Sequence, residues 1–228
     1  SLRRQRQMCI RDRNWEVECQ IISQGIRQRV LEHTINHGGY LSQACSSAEI
    51  FSILYNKSMK LGPSDASFST HEFEGTPSVN NPHPQKGFLY NGAKNPDLDR
   101  FFLSPSHYAL SLYAALIETK RLNDESLKEF NKDGSVLDMI GSEHSPGHET
   151  NGGSFGQTIS QAAGVAWARR RKKEKGLVWL FLSDGEFQEG QTWEALMSMA
   201  FHKISNLKIV VDVNGPVSYT HLTLPTKA

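Results

Sequence analysis

The sequence predicts an α/β domain with a doubly wound, mainly parallel sheet and helices on both of its faces. Two runs carry that expectation, LVWLFL at 177–182 and LKIVVDV at 207–213. Each is apolar almost without interruption, the pattern of a parallel strand covered on both faces. A helical stretch at 191–203 separates them, and alternation of this kind builds βαβ units.

The elements follow in order. Val17, Ile21, Ile22, Ile26, Val30, Leu31 and Ile35 recur at helical spacing, so residues 16–35 form a helix that HGGY (37–40) stops. A second helix is expected from Ser46 or Ser47 to about Tyr55, with Ser46 and Glu49 as a capping box. Residues 62–99 are rich in Pro, Gly, Asn, Ser and His and read as a long irregular excursion. DRFFL (99–103) is a short strand, 106–121 a helix and DESLKEFN (124–131) a short polar helix. A Gly/Ser/His/Pro loop at 141–154 precedes a helix at 156–173, whose Ala162, Ala163, Gly164 and Ala166 are expected to pack inward. In the helix at 191–203 the inward set is Trp193, Leu196, Met199 and Ala200. Trp167, Trp179 and Trp193 are expected in the core, and RRRKKEK (169–175) at an exposed helix end where cations suit the dipole.

Composition excludes several classes. Lys plus Arg number 25 against 24 for Asp plus Glu, so no basic field points to nucleic acid. No stretch reaches the roughly 18 apolar residues of a membrane span. Three cysteines without metal-ligand spacing predict a reducing cytoplasm. Residues 1–13 show no helical or strand period, and 216–228 lose the pattern of the preceding strand. Both resemble translated sequencing-adapter read-through. The expected domain therefore spans 14–215, truncated at its C-terminal end, between two non-native tails.

The chemistry concentrates between Ser183 and Asn214. Asp184 follows one strand and Asn214 the next, so parallel neighbours would project both from one sheet edge, where open α/β sheets bind ligands. A carboxylate and an amide carbonyl are hard oxygen donors suited to Mg²⁺ or Ca²⁺ shared with a diphosphate. Gly185 admits close backbone approach, and the helix opening near Gln191 adds its N-terminal dipole.

SDGEFQEGQTWEALMSMAFHKISNLKIVVDVNG resembles the thiamine diphosphate motif, Gly-Asp-Gly with an Asn about thirty residues on. DRFFLSPSHYALSLYAAL, SPGHETNGGSFGQTISQAAGVAWA and GYLSQACSSAEIFSILY are similar to three further transketolase segments, in the family's order. The resemblance covers most of residues 14–215. It implies a thiamine-diphosphate-binding fold, thiamine diphosphate with Mg²⁺ (or Ca²⁺) as cofactors, and transfer of a two-carbon ketol between sugar phosphates. It assigns the metal to Asp184 and Asn214. It puts Gly185, Glu186, Gly153, Ser154, Phe155 and His107 against the cofactor, with Gly156 and Gln157 opening the helix behind. His107 and His144 (or His148) become substrate-side histidines. Glu189 joins the carboxylate network reaching the partner's activating Glu. The pyrimidine-binding and C-terminal domains would come from a partner polypeptide in a two-fold hetero-oligomer.

Two positions depart from the family pattern. Ser183 replaces the first Gly, and Tyr40 stands where transketolases carry an active-site His, which His37 replaces only after realignment. Tyr40 keeps a second thiamine diphosphate reaction open: a 1-deoxyxylulose-5-phosphate-synthase-like condensation of pyruvate with an aldehyde, or a 2-oxo acid dehydrogenase component. A non-catalytic anion-binding α/β module lacks its glycine patterns here. A regulatory chain without catalysis is the remaining reading.

Overall fold

The computed structural model describes residues 2–214, with side chains described from Asn14 onward. The expected tail at 216–228 and the Cys9 side chain lie outside the described residues. Helix α1 spans Leu2–His37. The helix thus includes residues 2–13, where no helical period was expected; Arg, Gln and Met favour helix by propensity alone, which apolar periodicity does not register.

Helix α2 (Leu41–Ile53) begins well before the expected capping box. Its N-cap is Tyr40, without a side-chain cap bond. Ser46 is a mid-helix residue whose hydroxyl donates to the Gln43 carbonyl and to Asp212. A π-helical turn, Leu54–Ser58, closes this helix. The excursion that follows is irregular apart from a 3-10 turn at Gly87–Asn91 and one isolated bridge between Glu72 and Ser135. Then come β1 (Arg100–Leu103), a 3-10 turn (Ser106–Tyr108), α3 (Ala109–Glu118) and a 3-10 turn (Asp124–Glu129). Helix α4 (Thr158–Arg171), β2 (Val178–Ser183), a 3-10 turn (Asp184–Gln188), α5 (Gly190–Phe201) and β3 (Leu207–Asp212) complete the order.

The three strands lie in the order β1-β2-β3, all parallel. Side chains alternate across the sheet with the period of two that strands impose. Phe101, Leu103 and Phe181 join α1, α2 and α3 in one apolar core, where Phe51 stacks on Phe181 at 5.0 Å between ring centroids. Phe102, Val178, Leu180 and Leu182 join α4 and α5 in the other. Helices therefore cover both faces, as the apolar runs predict.

Several inward assignments change. On α5 the buried residues are Thr192, Ala195 and Met199, while Trp193 and Ala200 are exposed and Leu196 is half-buried. On α4 Gly164 faces outward, and Trp167 is 44% exposed, beside His202 and Arg171. Arg169 is buried, not solvated: its guanidinium donates to the carbonyls of Asn95, Pro96 and Leu98, holding the approach to β1. Tertiary acceptors thus take an arginine that helix-end electrostatics alone would leave in water. Asp99 extends this anchoring by accepting from the Lys60 and Leu177 amides and the Trp179 indole. The neighbouring Arg100 forms a two-pronged pair with buried Glu149, tying the 141–154 loop to β1.

Candidate functional site

The parallel register sets Ser183 opposite Asp212. Asp184 and Asn214 therefore leave the sheet at the same edge, one from each of two neighbouring strands. A cleft of about 730 Å³ opens there, lined by Gly185 and Asn214 together with His107, Gly153 and Phe155. Tyr40, Ser42, Gln43, Ser46, Ser106, Tyr108, Ile140 and Ser183 complete its wall. That volume lies within the usual range for small-molecule and cofactor sites.

Each of the expected residues has a definite place. Ser183 has φ −101°, so its replacement of a glycine costs no backbone strain. Asp184 opens a 3-10 turn directly after β2, between two cleft-lining residues. Gly153 has φ +94°, a conformation that favours glycine, and faces the Ile140 methyl. Gly156, at φ +78°, donates its N–H to Glu186 at 3.3 Å. Gln157 is the N-cap of α4 and makes no side-chain cap bond. Helix α5 begins at Gly190 and none of its residues lines the cleft, so the 3-10 turn stands where its dipole was expected.

Other expected residues are not brought into the cleft. Ser154 is exposed beside it. Glu186 is fully buried behind it, accepting from the Ser104 hydroxyl at 2.6 Å and from Gly156. Burial pushes the Glu186 carboxyl up to about 7, against those two bonds, which favour its ionised form. Its bonds join the end of β1, the start of α4 and the turn after β2. Glu189 stands at the N-cap position of α5 without a side-chain cap bond and is exposed, open to contact from outside the chain. His144 is bonded to Asp138 at 2.8 Å and packs against Phe73. His148 is buried and bonded to the Pro146 carbonyl. Neither histidine lines the cleft, and His37 packs on His33 instead.

His107 sits among aromatic rings: Tyr108 at 4.8 Å, Tyr40 at 5.6 Å and Phe155 at 5.8 Å between centroids. Burial lowers its pKa, so the ring is neutral at pH 7 and one nitrogen can accept a proton. Sequence reasoning missed a polar cluster beneath the cleft. Asp212 accepts from Ser46 and Tyr108, and the Asn214 amide joins them. The carboxylate two residues before Asn214, at the last position of a strand, was the available signal.

The donor chemistry fits a divalent ion shared with a diphosphate. Among the described residues no three His, Cys, Asp or Glu side chains gather around a metal position. An ion here would take its remaining oxygens from phosphate and water, the usual habit of Mg²⁺. Among the described residues no Lys or Arg lines the cleft either, so the charge of a bound diphosphate would fall to such an ion.

The family described as "Transketolase, thiamine diphosphate binding domain" matches residues 88–218. The chain belongs to the transketolase family. A transketolase family protein of Sinorhizobium fredii is 35% identical over 193 residues, covering 82% of this chain and 60% of that protein. One of the polypeptides of an apulose-4-phosphate transketolase, named as a subunit of that enzyme in Actinobacillus succinogenes, is 32% identical over 121 residues, covering 53% of this chain and 44% of that polypeptide. The solved transketolase of Campylobacter jejuni superposes with a TM-score of 0.66 at 22% identity, over 86% of this chain and 28% of that one. That likeness bears on fold, and it agrees with the parallel sheet and two-faced helix cover. This transketolase-family chain thus spans less than two thirds of the length of these relatives. No described helix is long and apolar enough to cross a membrane.

Proposed function

We propose that this chain is the diphosphate- and metal-holding part of a transketolase-type transferase acting in the cytoplasm. The enzyme moves a two-carbon ketol unit from a ketose phosphate to an aldose phosphate. The observation that carries the reading is the Ser183–Asp212 register, which sends Asp184 and Asn214 out of one sheet edge beside a cleft lined by Gly185 and His107. Asp184 and Asn214 would hold Mg²⁺, and Gly185 with Gly153 would let the backbone approach the diphosphate. When bound, thiamine diphosphate supplies the carbanion chemistry that breaks and remakes the bond next to a carbonyl. His107, neutral and half-buried, is placed to accept or return a proton at the cleft.

A partner polypeptide would bring the pyrimidine side of the site and the Glu that activates the cofactor. Two observations support this. Glu189 is exposed, and the Actinobacillus succinogenes relative is by name one part of a divided transketolase. The test mixes the chain with its pyrimidine-binding partner and assays ketol transfer with thiamine diphosphate and Mg²⁺. Activity is expected of the mixture alone and is lost on chelation. Transfer by the chain alone would end the two-polypeptide reading.

Tyr40 favours a second reading. It lines the cleft against His107, where transketolases carry a histidine. Turnover of pyruvate with an aldehyde, and none of ketose phosphates, would select the synthase-like alternative.

A further inference from the structure

We infer that Asp212, acting with Tyr108 and Ser46, is a positioning residue that fixes which end of the Asn214 amide meets the cation. This rests on the metal-site reading above. Asp212 is the last residue of β3 and is 5% exposed. One of its carboxylate oxygens, Oδ2, accepts from the Ser46 hydroxyl at 2.6 Å and from the Tyr108 hydroxyl at 2.9 Å. The Tyr108 proton is spent there and the Ser46 proton is shared between Asp212 and the Gln43 carbonyl, so each hydroxyl oxygen has only lone pairs left to offer Asn214.

Asn214 Nδ2 lies 2.9 Å from the Tyr108 oxygen and 3.2 Å from both Ser46 Oγ and Asp212 Oδ2. All three neighbours are acceptors. Turning the amide over would press its carbonyl oxygen against three oxygens, one of them anionic. Amide orientation is normally assigned from such networks, and this one admits a single answer. The nitrogen faces the cluster, and Oδ1 is the atom left for the cleft that Asn214, Ser46 and Tyr108 all line. Since only Oδ1 can ligate a hard cation, the cluster selects the competent face of the side chain before the ion arrives.

The arrangement also accounts for an amide at 214. A carboxylate there would bind a cation well on its own, but here it would meet Asp212 with no proton between them. Exchanging the two side chains moves the charge to 214 and the amide to 212, which removes the repulsion.

The experiment measures Mn²⁺ affinity by electron paramagnetic resonance. It uses the intact protein that carries this chain, with its partner and saturating thiamine diphosphate, and follows thermal midpoints alongside. Asn214→Asp is expected to weaken Mn²⁺ about tenfold or more, and Asp212→Asn with Asn214→Asp to recover most of that loss. Tyr108→Phe, which keeps the ring, is expected to weaken Mn²⁺ about tenfold, the low end for an outer-shell partner, with little change in thermal midpoint. Should Asn214→Asp fail to fold, Tyr108→Phe decides alone. Wild-type affinity in both Asn214→Asp and Tyr108→Phe would overturn the inference while leaving the metal site intact. So would a folded double variant no better than Asn214→Asp. A wild-type protein that binds no Mn²⁺ with thiamine diphosphate present would remove the metal-site reading and this inference with it.

Discussion

His107 and His148 each stand two residues after a Ser-Pro dipeptide, outside α-helix and strand, yet their surroundings are opposite. His107 lines an open cleft at the sheet edge, with rings around it and room for a ligand in front. His148 is 1% exposed, bonded to the Pro146 carbonyl, and pressed under Gly141. A Cβ added to that glycine would sit 2.1 Å from the His148 ring nitrogen. Local composition therefore does not separate a cleft-lining histidine from a packed one; the packing around the ring does. The 138–148 loop is built as a support, whereas the turn after β1 is built as a wall.

Substitutions break or sharpen this contrast, from the largest effect downward. His148→Ala is expected to cost about 2–4 kcal/mol of stability, as for other large buried side chains. Cofactor binding by the folded fraction should be unchanged, which chemical denaturation with parallel binding titrations checks. The same histidine gives a pH signature. Burial holds its pKa at about 4 in the fold, against about 6.5 unfolded. Its native state therefore binds fewer protons than the unfolded chain. Its contribution is fully present above pH 6.5 and is lost as pH falls through 4, by at most about 3 kcal/mol. Thermal midpoints of wild type should fall more steeply over that window than those of His148→Phe.

His107→Ala reverses the pattern. It is expected to lower kcat/KM of the assembled enzyme by about 100-fold or more, with stability changed by under about 1 kcal/mol. Steady-state kinetics alongside thermal melts measure both. Tyr40→Leu should have the smallest effect, about a threefold change in KM from the lost ring contact. Equal stability losses at 107 and 148 would dissolve the contrast.

Much of the sheet was legible because LVWLFL is buried on two faces, and LKIVVDV, half-buried beside it, keeps the same near-continuous apolar run. The departure of Asp184 and Asn214 from one sheet edge was legible for the same reason, since one βαβ unit fixes both strand tips. Finer features were not. Ser46 reads as a cap because its sequence neighbours suit one, but its hydroxyl is drawn to Asp212, 166 residues away. Tyr108 joins Asn214 across 106 residues. No local period encodes such contacts. The inward face of α5 escaped the pattern because Trp193 is the larger apolar side chain, yet α5 packs through the smaller Thr192 and Ala195.

The most direct measurement is calorimetric titration of thiamine diphosphate into the intact protein, with and without Mg²⁺, for wild type and Asp184→Ala. Saturable binding that needs both Mg²⁺ and Asp184 is the result expected of two oxygen donors meeting at one sheet edge. Equal affinity after chelation and after the substitution would contradict that account.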